Sequence, residues 1–235
     1  MRFQRTPENL LLRAAARAFD PGKLKHVVFE PGEPLWEPEG PVHFALFPTR
    51  GVVSLQVHAG GEKRADIALC GREGFLEPAF LFDDRNTKTA AVAFTAGEGF
   101  AMEPALFRAF WKNTRFREAV HGYVRVFLVM AHRISVCNRL HVIEKSFVGR
   151  LLLIQDRAEG DSFQLTQGFM SRILGVRKAT ISRAAARLQD MGAIRYNRHG
   201  QLTIVDRHRL ERQSCSCYRA IKDESDKLIS ALGGF

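Results

Sequence analysis

Two short helical patterns separated by a single glycine, between Thr166 and Leu188, limit what this chain can fold into more than any other feature. In Leu165-Thr166-Gln167-Gly168-Phe169-Met170-Ser171-Arg172-Ile173-Leu174-Gly175, the residues Phe169, Met170, Ile173 and Leu174 fall on one apolar stripe. Thr166 stands before the stripe as an N-cap, its hydroxyl accepting from an early backbone N–H. Gly175 follows it and tolerates the positive φ that ends a helix abruptly. A second pattern opens near Arg177-Lys178-Ala179-Thr180 and runs through Ile181, Ala184, Ala185 and Leu188 to Gly192. Two short helices, a tight glycine turn and a basic start to the second helix predict a helix-turn-helix. Ala184 and Ala185 are small enough for the helices to cross closely, which leaves Arg177, Lys178, Thr180, Ser182, Arg183 and Arg187 on the outer side. Arginine and lysine donate to guanine O6 and N7, while serine and threonine suit phosphate oxygens.

Ile194-Arg195-Tyr196 and Leu202-Thr203-Ile204-Val205 flank Asn197-Arg198-His199-Gly200, the pattern of a β-hairpin. A hairpin after a recognition helix predicts a wing, with Arg198 and His199 at its tip. The net charge of the chain is +10. Between Thr166 and Arg212 the basic residues Arg172, Arg177, Lys178, Arg183, Arg187, Arg195, Arg198, Arg207, Arg209 and Arg212 face only Asp190, Asp206 and Glu211. Charge concentrated in this way favours a polyanion, and double-stranded DNA is the expected partner. A helical hairpin used for protein contacts, as part of a ligand- or redox-sensing module, is the alternative reading of the same residues.

The chain has 235 residues, 46% hydrophobic and 26% charged, a balance suited to globular domains. Leu10 to Phe19 reads as a short helix stopped by Asp20-Pro21-Gly22. From Leu24 to Met102, apolar runs at Val27–Phe29, His43–Phe47, Val52–Val57 and Ala90–Phe94 alternate with turn signals. Those turns are Pro31-Gly32, Glu39-Gly40-Pro41, Gly60-Gly61 and Gly97-Glu98-Gly99, spaced as in an all-β roll or sandwich. Beyond Pro104 the turns vanish. Val120, Phe127 and Ile134, with Tyr123, Met130 and Cys137, repeat as the a and d positions of a heptad, so a dimer interface is expected on these six residues; a globular helix with a wide apolar face, broadened by Val124, Leu128 and Ala131, is the alternative. Ile143 to Asp156 reads as a further helix, Ala158 to Ser162 as a loop, and Lys222 to Phe235 as a solvated, frayed end. The fold class is α+β. An N-terminal helix and antiparallel β-roll sensor over 1–115 precede a dimerisation helix over 116–141, a winged helix-turn-helix over 142–221 and a tail over 222–235.

The same residues resemble the Crp/Fnr family of bacterial transcription regulators. The resemblance is carried by Leu165-Thr166-Gln167, Leu174-Gly175-Val176-Arg177, Ile181-Ser182-Arg183 and Ile204-Val205-Asp206-Arg207. Cys137-Asn138-Arg139-Leu140-His141 and Cys215-Ser216-Cys217-Tyr218 look like marks of one subgroup. It implies a double-stranded β-helix of the cyclic-nucleotide-binding type, a long dimer helix, and a homodimer reading a near-palindromic operator, with RNA polymerase as a further partner. By position, the family's base-reading residues fall on Lys178, Ala179 and Arg183. Ala179 stands where many members carry an acidic side chain that accepts from cytosine N4, so an altered half-site is expected. Arg177 replaces a frequent capping serine and adds a phosphate contact.

The effector pocket maps to Glu77, Lys88 and Thr89. Leu76 replaces the cassette glycine, and Lys88 supplies a point charge in place of the planar arginine fork that holds a cyclic phosphate. Cyclic AMP is therefore not the expected effector, and no cofactor is assigned.

Of the four cysteines, Cys70, Cys137, Cys215 and Cys217, only the last two are close in sequence. Two thiolates fall short of the four ligands zinc takes, so these are expected to pack as small residues, with no metal. Fnr-type iron–sulfur binding would need an N-terminal cysteine cluster. His26, His43 and His58 form no His-x-His pair, and no nucleophile–base set appears, so an enzyme is not expected. The N-terminal residues lack an apolar signal core and no run of about eighteen apolar residues occurs, which predicts a cytoplasmic protein away from membranes.

Overall fold

A computed structural model of the chain describes residues 8–15, 23–58, 60, 64–78, 81, 87–197 and 199–233. The predicted helix stop at 20–22 and the wing-tip residue Arg198 lie outside the described residues. Helix α1 (Leu10–Ala14) opens the chain and is anchored by Asn9, whose Oδ1 accepts from the backbone N–H groups of Leu11 and Leu12. The same buried side chain donates through Nδ2 to Pro48 O at 2.9 Å and Gly74 O at 2.7 Å, so its amide is satisfied inside the core.

The β-roll is two antiparallel sheets. One has the order β1 (Lys25–Phe29), β7 (Gly97–Met102), β3 (Ala45–Arg50); the other runs β2 (Pro34–Trp36), β6 (Ala90–Ala93), β4 (Val53–His58), β5 (Arg64–Cys70). Gly97-Glu98-Gly99, which the sequence suggests as a turn, lies inside β7, with Gly97 opposite Phe29 and Gly99 opposite Val27. Close approach explains these glycines. A Cβ on Gly97 would sit 2.3 Å from Arg50 O and 2.6 Å from the Phe29 ring, and one on Gly99 2.6 Å from Phe47 O. Strand β5, not visible as an apolar run, pairs along β4 from Val53↔Cys70 to His58↔Arg64.

Helices α2 (Pro104–Trp111) and α3 (Thr114–Leu140) follow. The heptad positions of α3 are not open to a second chain. Val120, Tyr123, Met130, Ile134 and Cys137 are at most 3% exposed within this single chain, and Phe127 is half-buried against the same core. The Tyr123 ring lies 5.6 Å from that of Phe75, and the Met130 sulfur accepts from Leu69 N at 3.1 Å. The apolar stripe of α3 therefore packs within this chain, against the β-roll along most of its length and against Cys215 at Cys137, as a globular helix with a wide apolar face does. Such a stripe reports burial and does not say whether the partner is another chain or the same one.

Helix α4 (Ile143–Gln155) is buried from Ser146 to Ile154 and forms the hub between the β-roll and the C-terminal part. Two buried ion pairs cross this boundary. Arg150 Nε contacts Asp66 Oδ2 of β5 at 2.5 Å, and Arg157 Nε contacts Glu73 Oε1 at 2.7 Å. Burial works against the Arg157 charge, but Glu73, Asp156, Tyr123 and Cys70 together outweigh it and hold the guanidinium above its ordinary range.

Beyond α4 come β8 (Ser162–Gln164), α5 (Gln167–Ile173), α6 (Lys178–Asp190), β9 (Ile194–Tyr196), β10 (Gln201–Ile204), α7 (Arg207–Gln213) and α8 (Ser216–Ala231). Helix α8 corrects the predicted tail. It runs across the expected boundary at 221 and buries Ile221, Ser225 and Leu228, the last meeting Gly122 of α3. Among the described residues, no helix is long and apolar enough to cross a membrane.

Candidate nucleic-acid interface

Helix α5 starts where Thr166 Oγ1 accepts from Phe169 N at 3.1 Å and ends at Gly175, whose φ of 64° returns the chain through Val176 N→Ser171 O. Helix α6 then begins at Arg177, an N-cap that makes no side-chain capping bond. Ile181, Ala184, Ala185 and Leu188 are buried on its inner side. Arg177, Lys178, Ala179, Arg183 and Arg187 are exposed, while Thr180 and Ser182 are half-buried.

These side chains differ in freedom. Ser182 Oγ donates to Gln167 Oε1 at 2.6 Å and approaches Lys178 O at 3.1 Å, so it ties the two helices together. Arg187 pairs with Glu144 of α4 at 2.8 Å. Thr166 is spent on its cap although its residue is exposed. Arg207, counted above in the basic cluster, belongs to the frame. Its guanidinium donates to Gln155 Oε1, Asp156 Oδ1, Glu211 Oε1 and the Tyr218 hydroxyl at 2.6–2.9 Å. Arg209 likewise donates to Met191 O and pairs with Asp206, which also caps α7. The exposed charge that remains lies on Arg172, Arg177, Lys178, Arg183, Arg195 and Arg212.

The wing is a three-stranded sheet of order β8-β10-β9, with Leu202 opposite both Tyr196 and Phe163. Asn197 Oδ1 accepts from His199 N and Gln201 N and shapes the turn. Gly200, at φ 80°, brings the wing against Thr166, where a Cβ would come within 2.8 Å of the Thr166 methyl. Wing and recognition unit are thus held as one body.

Residues 148–213 match the family described as the Crp-like helix-turn-helix domain. This segment is a Crp-like helix-turn-helix domain. No curated protein sequence matches the chain. Solved structures match over the β-roll as well. FixK2 from Bradyrhizobium japonicum aligns at a TM-score of 0.63 with 17% identity, covering 82% of this chain and 98% of that one. A CRP-family transcriptional regulator from Thermus thermophilus gives a TM-score of 0.66 at 12% identity, covering 80% and 95%. The c-di-GMP responsive global regulator CLP from Xanthomonas campestris gives 0.61 at 13%, covering 81% and 97%. Over about four fifths of its length the chain shares the fold of these structures.

The predicted effector residues are dispersed in character. Glu77 is buried at a positive φ of 72°, Lys88 is exposed, and Thr89 is half-buried with its hydroxyl 3.0 Å from that of Thr87. A separate cavity of about 450 Å³ opens between the β-roll and α5, lined by Gln56, Arg64, Val92, Phe169 and Arg172 among others.

Sequence reasoning weighed Cys215 and Cys217 as a pair and missed the two residues that join them. Cys137 and His141 at the end of α3 meet Cys215 and Cys217 at the start of α8, with all four ligand atoms within 4.8 Å of one another. The local signal was two short spacings, Cys-x3-His and Cys-x-Cys, that lie 78 residues apart and join only in the fold.

Proposed function

We propose that this protein is a sequence-specific DNA-binding transcription regulator that acts as a homodimer and not as an enzyme. The observation that carries the reading is the outer side of α6. Arg177, Lys178, Ala179 and Arg183 are exposed there, on a helix whose opposite side is locked into the domain. A helix presented in this way fits the major groove, with Lys178 and Arg183 at base edges and Arg177 at a phosphate. Thr180 and the wing, including Arg198, add backbone contacts. Ser182, Arg187 and Thr166 act first by holding the reading head together and meet DNA at its margin.

The dimer is assigned to the outer side of α3, since the inner side is already filled. Leu128, Val136 and Leu140 are 49%, 41% and 71% exposed there, beside His121, His132 and Arg139. RNA polymerase is a further partner of a regulator bound beside a promoter. Lys88 in place of an arginine fork, and exposed, supports an effector other than cyclic AMP.

A direct test is the affinity of the full chain for duplex DNA across a salt series. Several phosphate contacts make log K fall steeply and linearly with log salt. Cyclic AMP leaves the curve unchanged. Undetectable binding at low salt would overturn the DNA reading, and a clear gain with cyclic AMP would overturn the effector assignment.

A further inference from the structure

We propose that Cys137, His141, Cys215 and Cys217 form a closed, tetrahedral zinc site that clamps the start of α8 to the end of α3. Three features of the geometry carry this.

The spacing is that of a single ion. The sulfurs of Cys137 and Cys215 are 3.7 Å apart, and that of Cys217 is 3.8 Å from His141 Nδ1. Zinc–sulfur bonds of about 2.3 Å and zinc–nitrogen bonds of about 2.0–2.1 Å give tetrahedron edges of about 3.8 Å between sulfurs and about 3.5 Å from sulfur to nitrogen. A cluster of several irons would hold its ligand atoms much farther apart. A disulfide between Cys137 and Cys215 would leave Cys217 and His141 gathered to no purpose.

The ligands are fixed by backbone geometry. Cys137 and His141 are four residues apart at the last turn of α3, so they share one side of it, and His141 N donates to Cys137 O. Cys215 is the N-cap of the sixteen-residue α8, so its side chain stands at the start of that helix, two residues before Cys217.

The surroundings suit a bound cation held by three thiolates. Cys137, Cys215 and Cys217 are 3%, 7% and 3% exposed, and form a buried cluster apart from the main core. Ser146 Oγ lies 3.4 Å from the Cys137 sulfur, and Lys145 Nζ donates to Ser214 O beside Cys215. These groups hold the ligands and offset the surplus negative charge of three thiolates around one Zn²⁺. On binding, the zinc replaces up to three thiol protons, which pass to solvent, and no electrons move. Four protein ligands leave no open position, which makes the ion a structural clamp with no catalytic water. Soft thiolates with one imidazole in a tetrahedron select zinc among the divalent ions.

The test is metal content, which does not depend on DNA binding. The full chain, untagged by histidines and purified under reductant, is expected to retain one zinc per chain by mass spectrometry of the elements. Exchange with cobalt(II) should give the visible bands of tetrahedral coordination and thiolate-to-cobalt charge transfer. Cys215→Ser with Cys217→Ser should cut retained metal at least tenfold, while Cys70→Ala, at a buried thiol elsewhere, keeps it at one. Wild-type protein that holds no zinc and gives no tetrahedral cobalt spectrum overturns the site. So does full zinc content in the double variant, or a Cys137–Cys215 disulfide found in the reduced protein.

Discussion

In the first half of α6, Arg183 stands one turn beyond Ala179 on the exposed side, and among the described residues no ion pair holds it. That freedom separates it from Arg187, tied to Glu144, and from Arg207, held by four groups of its own domain. Arg183→Ala is expected to cost about 1–3 kcal/mol on the preferred operator and to relax the preference at one base pair. The measurement is a competition series over operators altered one base at a time. An equal loss on every sequence would make Arg183 a phosphate contact. Exposure of this kind was legible in the sequence, because the 3.6-residue period assigns each side chain to a face. What an exposed arginine touches was not, since Glu144 and Asp156 come from a different helix.

Among the elements, α4 and the turn that follows it link the β-roll to the helix-turn-helix, and they do so through charge. Arg157 and Glu73 are 3% and 4% exposed at their side chains, 84 residues apart in the chain. Removing one partner strands the other charge away from water, which costs about 3–5 kcal/mol. Arg157→Met is therefore expected to lower unfolding stability in urea by that amount. Adding Glu73→Gln should recover most of it, because the neutral pair no longer needs a counter-charge. A loss below about 1 kcal/mol for Arg157→Met would show that the pair is open to solvent in solution. Helices α4, α5 and α6 were foreseeable from caps, glycine stops and periodicity. Strand β7 and helix α8 were not. Gly97 and Gly99 carry turn-like composition because neighbouring backbone and the Phe29 ring leave no room for a Cβ. The charged tail hid an amphipathic helix that buries Ile221 and Leu228, the latter against Gly122 of α3.

For the whole molecule, the recognition unit is docked on the β-roll. Phe169 of α5 meets Phe94 edge to face with ring centroids 5.0 Å apart, and the ion pairs of Arg150 in α4 and of Arg157 just after it span the same boundary. A change in the β-roll thus has rigid routes to α6, one through α4 and one through Phe169. The long helix was visible from its heptads, but its orientation was not, because an apolar stripe is equally satisfied by a partner chain or by the chain's own roll. With that stripe used internally, pairing of two copies in the proposed dimer would fall to Leu128, Val136 and Leu140, and would set the spacing of the two recognition helices. The central claim, a dimeric reader with α6 in the groove, is tested most directly by selecting bound duplexes from random DNA with the full chain. The account predicts a near-palindromic consensus whose half-site centres lie about 10 bp apart, or a multiple of that. It also predicts altered preference at the base pair facing Ala179. Enrichment of a single half-site, or of no sequence at all, would contradict it.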